Sequence, residues 1–152
     1  MKGLIGQDRR IAELVKHVDH RVLALWAADC ADRAKPCFET IWAEDNRMQE
    51  AIHAARAWSR GELPMTAARK AAIAAHAAAR DVIETSSAAA RAARAAGHAA
   101  ATAHVANHAV HAAAYAATAI RDFADKKEAD IVTDREREWQ YKRLVELLER
   151  LR

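Results

Sequence analysis

Apolar positions along this chain recur at three- and four-residue spacing, and no window alternates apolar and polar residues as a half-buried strand would. The pattern predicts an all-α fold: a single compact, alanine-rich helical bundle of about six helices with short turns. A short helix over residues 8–17 carries Ile11, Leu14 and Val15 on one face. Asp19 caps a second over 20–35, with Val22, Leu23, Trp26, Ala27, Cys30 and Ala34 as its stripe, and Pro36 ends it. A brief turn of helix follows over 38–42. Asp45 or Asn46 then caps a helix reaching residue 60, with Met48, Ile52, Ala55 and Trp58 inward. Gly61 serves as the glycine after its end, followed by Leu63 and Pro64 as a stop. Thr66 caps a helix over 67–84, and one of Thr85, Ser86 and Ser87 caps the next. That next segment is nearly all alanine, and an unbroken rod of its length would overshoot a compact bundle, so an interruption is expected near residues 105–107. A last helix over 128–151 places Val132, Trp139, Leu144, Leu147, Leu148 and Leu151 on its apolar side.

Composition sharpens this picture. The apolar share is 52%, but alanine supplies most of it and aromatics only 5%, so large anchors are few. Four glycines and two prolines leave little punctuation between long helices. The 152 residues suit one domain over 1–152, in which 1–18 is the less firmly specified N-terminal helix. A net charge of +3 falls below the one-sided footprint of a dedicated nucleic-acid binder. No membrane-spanning run is present, and the N-terminus becomes charged too soon for a signal peptide, so no membrane association and a cytoplasmic location are expected. Cys30 and Cys37 read as two small buried thiols.

The chemistry-bearing residues are mostly histidines. On a continuous helix His104, His108 and His111 would share one face, with Ala101 and Tyr115 continuing the line. His104 and His108, at i and i+4, could reach one zinc ion, given a third ligand from another helix such as Asp29, His53, His76 or Glu84. Otherwise these imidazoles hydrogen-bond across the bundle or line its edge, and no cofactor is called for. Arg47, Arg56, Arg60, Arg69 and Arg80 lie on the two helices flanking Gly61, where they could pair with Asp29 and Asp81 or meet an acidic partner. Asp29 stands in an otherwise apolar stretch and needs a partner, with Arg33 at i+4 the local choice. Arg69, Arg80 and Arg91 recur every eleven residues, close to three helical turns. No HExxH, CxxC, phosphate-binding glycine loop or GxSxG elbow occurs, which removes support from those enzyme classes.

Four segments, ALWAADCADR (24–33), AIHAARAWSRGEL (51–63), AARKAAIAAHAAARD (67–81) and AAGHAAATAHVANHAVHAAAYAA (95–117), give the chain a resemblance to a known family. Over about residues 19–139 it resembles the Imm-5-like immunity proteins of bacterial polymorphic toxin systems, which are small and all-helical. The resemblance implies a protein that binds a cognate toxin and blocks it without chemistry of its own. Its family-like positions are Trp26, Asp29, His53, Arg56, Trp58, Arg69, His76, Arg80, His98, His104 and His108. These are the candidate partner- or pocket-lining residues, and none is assigned a catalytic role.

Three functions compete on these residues. The first is the toxin-neutralising interaction protein, with a protein partner and self-association left open. The alternative is a histidine-based enzyme, metal-dependent or acid–base, using His104, His108 and a carboxylate such as Asp29. The third, a nucleic-acid-associated protein using Arg69, Arg80, Arg91 and Arg94, is disfavoured by the weak net charge. The absence of catalytic motifs favours the first.

Overall fold

The computed structural model describes residues 3–150 and is all-helical over them, with no strand. Six long helices match the expected number: α2 (His20–Arg33), α4 (Arg47–Ser59), α5 (Met65–Val82), α6 (Ser87–Ala101), α7 (His108–Phe123) and α8 (Ala129–Arg150). Two short ones, α1 (Arg9–Leu14) and α3 (Lys35–Glu39), complete the set. Leu151, expected on the last apolar stripe, lies outside the described residues.

Most boundaries follow the expected local chemistry. Asp19 caps α2, and the Ser86 hydroxyl accepts from the Ala89 N–H at the start of α6. Gly61 takes φ +76 after α4, a conformation that other residues rarely adopt. Three boundaries differ from expectation, one being the brief turn of helix expected over 38–42, which instead runs earlier as α3. Pro36 does not simply end α2; it sits in the first turn of α3, where its missing N–H costs nothing and its fixed φ suits a new helix. Thr66 does not cap α5, because the extended Pro64 precedes the helix and its carbonyl accepts from Ala67 and Ala68.

Helix α6 is the centre of the fold. It packs between α5 and α7 and also meets α2, α3 and α4, while α8 lies against α7 and α2. Such crowding is feasible because its buried positions from Ala88 to Ala100 are all alanine or glycine. Bulkier side chains fill the surrounding core: Trp26, Phe38, Met48, Ile52 and Leu144 are fully buried. Cys30 and Cys37 are buried free thiols, and burial raises both, Cys37 to about 12.

Helix α8 departs from a purely apolar stripe. Glu136, Gln140, Leu144 and Leu147 face inward. Gln140 spans three elements: its carbonyl oxygen accepts from Trp26 Nε1, its Nε2 donates to the Ala113 carbonyl, and its Oε1 accepts from Arg137. The segment before α1 is strapped over α7, with the Ile5 N–H donating to Thr118 Oγ1 (3.1 Å) and Arg121 Nη2 to the Gly3 carbonyl (2.8 Å).

A core built on methyl groups has no room for branches. Ala96→Leu, at a fully buried position of α6, is expected to cost about 2–3 kcal/mol through overpacking. Ala74→Leu on the half-buried side of α5 should change stability by less than about 0.5 kcal/mol. Urea denaturation of both variants checks the contrast.

Candidate functional site

Each of the three consecutive alanine-rich helices carries a line of larger side chains, and on α6 it is the one such line. On α6 the half-buried positions are Ser87, Arg91, Arg94, His98 and Ala101, spaced by alternating fours and threes, and every position between them is buried. On α5 the matching line is Arg69, Ile73, His76 and Arg80, continued by Ile83 just after the helix; on α7 it is His108, His111, Tyr115 and Asp122. Contacts join the three lines into one face. His98 meets His76 on α5 (ring centroids 5.0 Å) and stacks on Tyr115 of α7 (5.1 Å, 15° between planes). It also lies near His111, and its Nδ1 is 3.0 Å from Nδ1 of His108. Arg91 pairs with Asp122 at 2.6 Å.

The closest approach explains the glycine in α6. A Cβ on Gly97 would fall 2.7 Å from the His76 ring, so even a methyl would displace the imidazole. Gly97 therefore provides the space in which His76 lies across α6.

Protonation follows from the same geometry. Arg94 Nη1 donates to His76 Nδ1 (3.0 Å), and a guanidinium can only donate, so that nitrogen carries no proton. Burial, reinforced by Arg94, lowers His76 from its ordinary 6.5 to about 4. Burial, then the neighbouring His76 and His108, lowers His98 to about 3, and His108 shifts down for the same leading reason. Near neutral pH these three rings are uncharged, and the basic character of the face comes from its arginines.

A second polar cluster ties α2, α4 and α8 together. Asp29 does not pair with Arg33. Its two oxygens take Arg56 Nη2 and Arg143 Nε, each at 2.9 Å, from two other helices. Arg33 instead forks onto buried Glu136 (2.9 and 3.0 Å) and lies over the Trp139 ring. Both carboxylates could be met only by residues distant in sequence, which is why local spacing suggested the wrong partner. The charges here close on one another, leaving a structural cross-link.

The remaining candidates separate. Trp26 lies in the core with no exposure. Trp58 is nearly buried beneath the His20 ring and the Arg21 guanidinium. His53 is exposed on α4, and Arg69 and Arg80 are exposed on α5. His104 falls in the turn between α6 and α7, so the expected His104–His108–His111 line on one helix is broken; the break comes over residues 102–107, where an interruption was expected. Among the described residues, no three His, Cys, Asp or Glu side chains converge as metal ligands would. Sequence reasoning missed His98 as the hub. The signal was present in the one non-alanine line of α6, but its neighbours on α5 and α7 are fixed only by tertiary packing.

Two measurements test this geometry. Alone, Gly97→Ala gains helix propensity but evicts His76, whereas with His76→Ala the same change should stabilise by about 1 kcal/mol. Additive effects in that double-mutant cycle would contradict the contact. The second concerns pH. The unfolded chain protonates these imidazoles near 6.5, and the fold resists until about 4 and 3, so the unfolded state binds more protons in between. Stability is therefore complete above 6.5 and falls as pH drops towards 4, before depressed carboxylates such as Asp45 contribute below their ordinary 3.8. Melting temperature should decline over that window, and His98→Phe, which keeps a ring on Tyr115, should flatten the decline.

No helix among the described residues is long and apolar enough to cross a membrane. No curated protein and no solved structure matches the chain. A family model does match, over residues 13–147, from the end of α1 to within the last turn of α8. With a match across nearly the whole bundle, the chain belongs to the Imm-5 like putative immunity protein family.

Proposed function

We propose that this protein binds a cognate toxin in the bacterial cytoplasm and holds it inactive by occupying it, without catalysis of its own. The observation that carries this reading is the α5–α6–α7 face: a continuous surface of imidazoles, arginines and one tyrosine on alanine-rich helices. Aromatic and arginine side chains supply much of the binding energy where proteins meet. Membership of an immunity family supports a protein partner.

Two further observations favour binding over acid–base chemistry. His104 lies exposed in the turn after α6 while His108 begins α7, so the histidine pair that acid–base chemistry would use is not held together on one helix. The carboxylate that a histidine enzyme would draw on, Asp29, is already committed to Arg56 and Arg143.

Co-expression tests the reading. A toxin encoded beside this gene should arrest growth alone, and the full chain should relieve the arrest and co-elute with the toxin as a stable complex. Continued arrest, with the protein shown to be folded by its helical circular dichroism, would overturn the proposal.

A further inference from the structure

At one end of the α5–α6–α7 face lies a cleft of about 190 Å³. Leu4 of the N-terminal strap, Ile83 just after α5 and Tyr115 of α7 form its walls, with Ser87, Arg91 and Arg94 of α6 completing it. It is smaller than the roughly 300 Å³ at which small-molecule sites begin, and suits protein side chains better than a cofactor.

The charges within it do not balance. Arg47, Arg56, Arg91, Arg121 and Arg143 are withdrawn from solvent, and each has a carboxylate oxygen within 3.0 Å. Arg137, also half-buried, donates to the Gly6 carbonyl and to Gln140 Oε1. Arg94, like Arg137, has no carboxylate partner among the described residues, but of the two Arg94 is the one that lines the cleft. Among the described residues its hydrogen-bond partner is the uncharged His76 ring, and no carboxylate lies within ion-pair distance. Of the acids on the flanking elements, Asp122 holds Arg91 and Arg121, Asp81 turns to Arg47, and Glu84 is exposed beside Ile83. Along the adjoining α5 line, Arg69 and Arg80 have no carboxylate partner among the described residues, and they alternate with the exposed Ile73 and Ile83. A cation with apolar walls and no internal counterion is complementary to an anion carrying apolar neighbours.

We propose that this cleft docks an acidic, apolar-flanked segment of a protein partner, whose carboxylate takes the guanidinium of Arg94 while its apolar side chains cover Leu4, Ile83 and Tyr115. The immunity reading supplies only the partner's identity, a toxin; the chemistry of the cleft stands apart from it.

The test has two arms. In the first, the full chain is titrated with the peptide acetyl-Leu-Glu-Leu-amide and followed by the NMR signals of Arg94 Nε–H and Tyr115. Saturable shifts with Kd near the millimolar range are expected, because one small contact supplies little energy. They should weaken at least tenfold with the glutamine analogue of the peptide or with Arg94→Gln, and less with Arg94→Lys. Lys16→Gln, on the turn after α1, should bind as the unchanged chain does. Melting curves confirm that each variant is folded. Equal binding of the glutamine peptide, identical shifts from inorganic phosphate alone, or displacement of the peptide by a short oligonucleotide would each overturn the proposal.

In the second arm, Arg94→Gln should weaken the toxin complex by about thirtyfold. Neutralisation by the unchanged chain that Arg94→Gln leaves intact would overturn the docking proposal and keep the immunity reading. Peptide binding without any toxin neutralisation would do the reverse.

Discussion

Helix α6 meets five neighbours, and only side chains of methyl size let it do so. Alanine costs no rotamer entropy on burial, and it lets helix axes approach near the lower end of their usual separation. The price is a core with few large contacts around the central helix, so cohesion must come from a ring of bigger residues, among them Trp26, Phe38, Met48, Ile52 and Leu144. The same crowding expels everything larger from α6 except along a single line. That line is where Arg91, Arg94 and His98 emerge, and Gly97 marks the point beside it where a histidine from α5 leaves no space even for a methyl. The polar face is thus a consequence of how the centre is packed.

Charge then sorts the surface into two kinds of cluster. Around Asp29 and Glu136, carboxylates meet guanidiniums from distant helices and neutralise them, tying α2 and α4 to α8. These side chains gain their partners on folding and have little left to offer a ligand. On the α5–α6–α7 face the balance is left open at Arg94, Arg69 and Arg80. Comparing the two clusters is more informative than inspecting either alone, since an arginine-lined hollow signifies a binding site only when its charges remain uncompensated.

The fold was largely legible in the sequence because helix-forming composition and punctuation agree: Asp19, Gly61 and the serines at 86–87 mark boundaries that the structure keeps. What local patterning could not supply were pairings across the bundle. Asp29 chose Arg56 and Arg143 over Arg33, and Gln140 occupies a core position because Trp26 and Ala113 answer its polar groups. The histidine line was half legible. His108, His111 and Tyr115 do share a face of α7, but His104 leaves it at the turn, and its place is taken by His98 of α6 and His76 of α5. The eleven-residue recurrence of Arg69, Arg80 and Arg91 places the first two on one line of α5 and the third on the adjoining line of α6.

Uncharged imidazoles suit a surface destined to be covered. A face of the same area built from lysines would have to shed tightly held water from every ammonium group when a partner arrived, whereas neutral rings desolvate at lower cost. Burial holds His76 and His98 in that state across the physiological range. Within such a surface the half-buried Arg94 is less screened by water than the exposed Arg69 and Arg80, and has more influence. It draws an acidic group to one place, and the surrounding rings fix the orientation in which that group can be met. The alanine that packs the centre, the neutral histidines that line the face and the uncompensated Arg94 at its edge are successive results of one constraint on side-chain size.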